Sequence, residues 1–295
     1  MFQRILICTD FQDGLQRLVR FVPSLAKSGL RHIVFCHVAP LLDDRGICKV
    51  DEKAMETARE RLSVALENVP DGVEVKVDVG SGKFADIVLK SVKQHDSDLV
   101  LLGTQPRTLL NQKLFGSNTI ELTQRSKIPL MAIRPSLIST YTNEELDLRC
   151  QHLFRYLLVP YDGTDEDNAL LKQIEGYSGK IGDTCFQECL LAQVLDVAGQ
   201  RREVRQENAE DEAKQTLEPV KAKLEQMGLK VGIDVRSGDP LAGILDMALE
   251  YDISAIAIAA RSVPNRLVNW SRPSFSAQIL RSSWHPVIFV PSEKS

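Results

Sequence analysis

What the chain lacks narrows its chemistry first. No stretch approaches the roughly 20 consecutive apolar residues of a membrane span, so none is expected. The opening Met1-Phe2-Gln3-Arg4-Ile5-Leu6-Ile7-Cys8 runs straight into a strand pattern. It has no apolar core followed by small residues, which predicts no secretory signal. No glycine-rich loop ends in Gly-Lys-Ser/Thr, which excludes a P-loop phosphate site. No Gly-x-Gly-x-x-Gly follows a first strand and no Gly-x-Ser-x-Gly elbow occurs; these absences argue against a dinucleotide dehydrogenase and a serine hydrolase of that type. Asp162-Gly163-Thr164-Asp165-Glu166-Asp167 lacks EF-hand spacing and reads as a turn into a helix. The six cysteines show no disulfide framework or zinc-ligand spacing, and no histidine has an evident catalytic partner.

What is present describes a globular protein. At 295 residues and 43% hydrophobic content the chain can bury two separate cores. A formal net charge of −4 disfavours a general nucleic-acid or anionic-membrane partner. Cysteines inside apolar runs suit free thiols, which points to a cytoplasmic protein.

The chain repeats itself. Arg4-Ile5-Leu6-Ile7-Cys8-Thr9-Asp10 is echoed by Arg155-Tyr156-Leu157-Leu158-Val159-Pro160-Tyr161-Asp162, each an apolar run that meets an acid. Such runs are buried parallel strands. In both halves, strands continue to alternate with amphipathic helices. The later strands are Ile33–Val38, Asp98–Gly103 and Ile128–Ile133 in the first half, and Cys189–Val194, Ala255–Ala260 and His285–Val290 in the second. A third strand in each half leads to Ser81-Gly82 or Ser237-Gly238. The predicted fold class is α/β: two tandem open five-stranded parallel sheets, Rossmann-like, with helices on both faces. The expected boundaries are 1–136, a linker over 137–152 rich in Ser, Thr, Asn and Glu, and 153–293. Pro219 is expected to kink or restart the helix that contains it.

Open parallel sheets bind ligands at the carboxyl ends of their strands. There the first half carries Gly103-Thr104-Gln105-Pro106, nine further residues, then Gly116-Ser117-Asn118. Glycine lets a phosphate approach the backbone, and a helix starting at Gly116 would offer free N–H groups, with the Ser117 hydroxyl adding a bond. Asn118 with Glu121 also fits a simple capping box, so a plain helix start stays open. Asp10 at the end of the first strand could accept ribose hydroxyls or cap a turn. Lys113 and Arg107 read equally as phosphate partners or solvated charges.

This pattern resembles the universal stress protein family, over essentially both halves. In its nucleotide-binding branch, the loop reads glycine, two residues, glycine, nine residues, glycine and serine or threonine. The resemblance implies an adenine-nucleotide α-hydrolase-like fold and an ATP or AMP site in the first half. That site would be made by Thr9, Asp10, Val38, Gly103, Pro106, Gly116, Ser117 and Asn118. Asp10 would meet the nucleoside and the Val38 backbone the adenine. Pro106 replaces the second glycine and supplies no N–H. In the second half, Ala260, Val263 and Pro273 stand at the three glycine positions and only Ser274 and the strand-end Pro160-Tyr161-Asp162 survive, so that half is expected to be structural. The implied function is a cytoplasmic stress-response regulator and not an enzyme. Its domains would pair through their closing strands within one chain, with a homodimer as a further possibility. A nucleotide-free interaction module and a slow ATP-hydrolysing enzyme are the alternatives.

Overall fold

The run Arg-Ile-Leu-Ile-Cys forms β1 (Arg4–Cys8) in a computed structural model that describes residues 1–44, 47–104, 121–123, 125–178, 185–196, 203–260 and 274–291. The chain divides into two compact units, Phe2–Gln151 and one containing His152–Ser295. In the first unit β2 (His32–Ala39), β5 (Glu74–Ser81), β6 (Leu99–Gly103) and β7 (Leu130–Ile133) join β1 in the order β5-β2-β1-β6-β7. Every pairing is parallel.

Both faces of this sheet are covered, which is why its central strands are continuous apolar runs. Leu6, Cys8, Val34, Cys36, Val100, Leu102 and Leu130 cluster on one face around Val88 and Leu122. The alternate residues Ile5, Ile7, Ile33, Phe35, Leu101 and Met131 are buried too. Each large aliphatic side chain so buried stabilises the fold by about 1.5–3 kcal/mol. The chain runs outward from β1 to β2 and β5, then crosses to β6 and β7. The order reverses between β1 and β6, so the topological switch point lies beside the ends of those two strands.

Two features of this half escape the sequence pattern. A short antiparallel hairpin, β3 (Leu41–Asp44) and β4 (Ile47–Val50), follows β2. The stretch read as a linker is helical through much of its length, as Pro135–Thr140 and Asn143–Gln151. The second of these helices opens with a reciprocal capping box. The Thr142 hydroxyl accepts from the Glu145 N–H at 3.3 Å, and the Glu145 carboxylate accepts from the Thr142 N–H at 2.7 Å. The Ser24 hydroxyl donates to Asp147, and Arg17 donates to the Ile138 carbonyl. These bonds fasten the stretch to the first unit.

The second unit repeats the plan. β8 (Tyr156–Pro160), β9 (Glu188–Leu195), β10 (Lys230–Ser237), β11 (Ala255–Ala260) and β12 (Val287–Pro291) run parallel in the order β10-β9-β8-β11-β12. The α/β class and the two parallel sheets therefore stand as read. The helix Glu203–Glu225 runs unbroken through Pro219, against the expected restart. Pro219 and Gln215, whose carbonyl the proline cannot serve, both face solvent, so water can satisfy that carbonyl.

Candidate functional site

The register fixes what meets at the switch point. Cys8 pairs with Cys36 on one side and Leu102 on the other. The next residues, Thr9, His37 and Gly103, therefore stand side by side at the strand ends. Thr9 is buried and its N–H donates to the Cys36 carbonyl at 3.0 Å. The His37 Nδ1 lies 2.8 Å from the Thr9 carbonyl. A carbonyl can only accept, so this contact places the proton on Nδ1 and leaves Nε2 for other partners.

The loop after β1 is a closed hydrogen-bonded turn. Asp10 is exposed, and its Oδ1 accepts from the N–H groups of Gln12 at 2.8 Å and Asp13 at 2.9 Å. This is the turn-capping role open to an aspartate at that position. Its Oδ2 carries no hydrogen bond among the described residues, so one oxygen remains able to accept from a hydroxyl. Asp13 is the acid that the sequence does not single out. Its Oδ1 accepts from the Thr9 hydroxyl at 2.8 Å and the Leu15 N–H at 2.9 Å, and its Oδ2 takes the Asp10 N–H at 3.3 Å. Burial raises the Asp13 pKa, against the lowering effect of the Thr9 hydroxyl bond. Its signal in the sequence is faint: a second acid four residues beyond Thr9, just before a glycine. That glycine, Gly14, has φ +76° and starts the 3-10 helix Leu15–Arg20.

Phe11 occupies the same turn in a left-handed conformation, φ +65°, which a bulky L-residue rarely adopts. Three contacts hold it there. Its N–H donates to the Thr9 hydroxyl oxygen at 3.0 Å, its ring lies 4.5 Å from His37 between centroids, and the Arg61 guanidinium carbon stands 3.9 Å from the ring centre. The last is a cation–π contact.

Of the residues expected at the site, Thr9, Asp10, Val38 and Gly103 lie at the carboxyl ends of three neighbouring strands, β1, β2 and β6. Pro106, Gly116, Ser117 and Asn118 lie outside the described residues, as do Arg107 and Lys113. The second half repeats the turn with altered spacing. The Asp162 Oδ1 accepts from the Thr164 N–H at 3.1 Å, and the Asp167 Oδ2 accepts from the Asp162 N–H at 3.0 Å. Ser274, the surviving counterpart of Ser117, caps the helix Phe275–Ser282, its hydroxyl accepting from the Ala277 N–H at 3.3 Å.

The model of the universal stress protein family matches residues 1–134 and again 154–291. The chain belongs to the universal stress protein family. It is a tandem member, since one family unit matches each half. Solved structures agree on the fold. A universal stress protein from Archaeoglobus fulgidus DSM 4304 superimposes with a TM-score of 0.66 at 16% identity, with 98% of each chain covered. A functionally unknown protein from Pseudomonas aeruginosa PAO1 gives 0.60 at 11% identity, covering 99% of this chain and 93% of its own. A putative universal stress protein from Pseudomonas aeruginosa UCBPP-PA14 gives 0.59 at 12% identity, covering 98% and 93%. No curated protein is significantly similar in sequence. Among the described residues, no cluster of His, Cys, Asp and Glu could hold a metal ion, and no helix is long and apolar enough to cross a membrane.

Proposed function

We propose that this tandem universal stress protein binds an adenine nucleotide, ATP or AMP, at the strand ends of its first half. It uses the nucleotide as a regulatory ligand and not as a substrate. The supporting observation is the convergence of Thr9, Asp10, Val38 and Gly103 at the switch point, with one Asp10 oxygen left unbonded. Backbone atoms at the strand ends suit a ligand that lies close to the main chain. The Gly116–Asn118 segment supplies the phosphate end in this reading. The second half, which lacks the three glycines, is structural. Cys8, Cys36, Cys150, Cys185 and Cys189 form no disulfide among the described residues, which supports a reducing, cytoplasmic setting.

The competing reading is a ligand-free interaction module. It draws on the fact that Asp10 already closes its own turn and that Ser274 serves as a plain helix cap. Isothermal titration of the full chain with ATP and AMP separates the two. Binding that weakens in Asp10→Ala and Ser117→Ala, with no ATP turnover, is the expected result. Absence of heat at millimolar nucleotide sinks the proposal, and turnover that Asp10→Ala abolishes while binding persists makes the protein an enzyme instead.

A further inference from the structure

Beside the strand-end turn lies a hollow of about 270 Å³, lined by Phe11, Gln16, Arg17, Arg20, Arg61 and Asn143 together with apolar neighbours. Three arginines in its lining come from two separate elements. Arg17 and Arg20 sit on the 3-10 helix Leu15–Arg20, where residues three apart project on the same side. Arg61 comes from the helix Glu52–Leu62.

Other surface arginines are paired: Arg59, Arg125 and Arg236 each reach a carboxylate at 3.0 Å or less. Among the described residues, no carboxylate pairs with Arg17, Arg20 or Arg61. Arg31 and Arg149 likewise reach no carboxylate among the described residues, but neither lines this hollow. Arg17 is instead held in place by neutral acceptors, the Ile138 carbonyl and the Asn143 Oδ1 at 3.2 Å. Arg61 rests against the Phe11 ring. Positive charge gathered around one hollow without a counter-charge favours an anion, and guanidinium groups match phosphate oxygens in geometry.

A second observation points to the rest of the ligand. The Gln16 Oε1 is buried without a hydrogen-bond partner, while its Nε2 reaches the Phe11 carbonyl at only 3.4 Å. An orphan acceptor beside an anion site is suited to a ligand hydroxyl. A neighbouring hollow of about 460 Å³ shares Val19, Arg20 and Val64 and continues toward Glu67 and Asn68, so the groove has room beyond a bare phosphate.

We propose that this groove binds a small hydroxylated phosphate monoester, its phosphate on Arg17, Arg20 and Arg61 and a hydroxyl on Gln16. The site is distinct from the strand ends and does not depend on a nucleotide being bound there. Arg17 is preorganised and the two exposed arginines close on the ligand.

Titration of the full chain with ribose 5-phosphate, and separately with inorganic phosphate, tests this. Ribose 5-phosphate is expected to bind more tightly than phosphate, and to weaken as salt rises. The exposed pair Arg20→Gln/Arg61→Gln, with folding checked by circular dichroism, is expected to loosen both ligands at least about tenfold. Gln16→Leu is expected to weaken ribose 5-phosphate alone, and Ser117→Ala to change neither. No binding at millimolar ligand overturns the proposal. So does binding that survives in the folded arginine variant, or that Ser117→Ala abolishes, since the ligand then sits at the strand ends.

Discussion

Asp13 fills the space that a side chain on Gly103 would need: a Cβ built on Gly103 would stand 2.7 Å from the Asp13 Cβ and 3.1 Å from its Oδ2. This approach ties the end of β6 to the turn after β1. Gly103→Ala should therefore destabilise the protein by about 1–3 kcal/mol through overpacking. In an Asp13→Gly background the same change should cost little, because the opposing Cβ is gone. Urea denaturation of the four proteins in this double-mutant cycle reads the coupling. Equal costs in both backgrounds would show that the contact does not set the requirement for glycine.

Phe11 should invert a familiar order. At most non-helical exposed sites alanine is the more stable choice than glycine, because glycine loses more freedom on folding. At φ +65° alanine keeps the strained backbone and loses the ring contacts, whereas glycine relieves the strain. Phe11→Gly is expected to be more stable than Phe11→Ala by about 1 kcal/mol. Chemical denaturation midpoints measure it, and the usual order would mean that the ring contacts alone, not the backbone, govern this residue.

The architecture was legible because buried parallel strands are unbroken apolar runs, and Ile5–Cys8, Ile33–Cys36 and Leu99–Leu102 are such runs twice repeated. What was hidden depends on neighbours that sequence does not display. The hairpin Leu41–Asp44 and Ile47–Val50 is too short and too mixed to alternate clearly. Residues 137–152 have a linker's composition, yet Thr142 and Glu145 spell a helix start that only their reciprocal bonds make plain. Asp10 and Asp13 look alike in the chain, and burial against Gly103 is what sets them apart. Arg17, Arg20 and Arg61 form a group only after the fold brings the helix Glu52–Leu62 beside the 3-10 turn.

The acids of the second half give a pH signature. Burial, together with its hydrogen bond to Asp162, pushes the Asp167 pKa up to about 6. A carboxyl whose folded pKa is raised contributes its stability below the ordinary aspartate range and loses it as pH rises through the folded value. Asp167→Asn keeps an oxygen for the Asp162 N–H and fixes a donor toward the Asp162 carboxylate. The variant should melt higher than the parent at pH 7 to 8, with the gap closing by about pH 4. Melting curves across that range check this, and a gap independent of pH would remove the titration of Asp167 as its cause.

His32 predicts the opposite slope. Only 4% exposed, it has neither ring nitrogen hydrogen-bonded, and its ring meets His95 edge-on at 5.8 Å. Burial lowers its pKa, the Arg4 charge adds to that, and Glu74, 3.7 Å from Nε2, opposes it. Below about pH 6.5 the unfolded chain takes up a proton that folded His32 resists. Its contribution is therefore complete above that pH and lost as pH falls through the depressed folded value. His32→Phe keeps the ring volume and removes the proton. Between pH 7 and pH 5 the parent should lose more melting temperature than this variant, and parallel losses would mean that folded His32 takes up its proton as readily as the unfolded chain, with Glu74 compensating the charge.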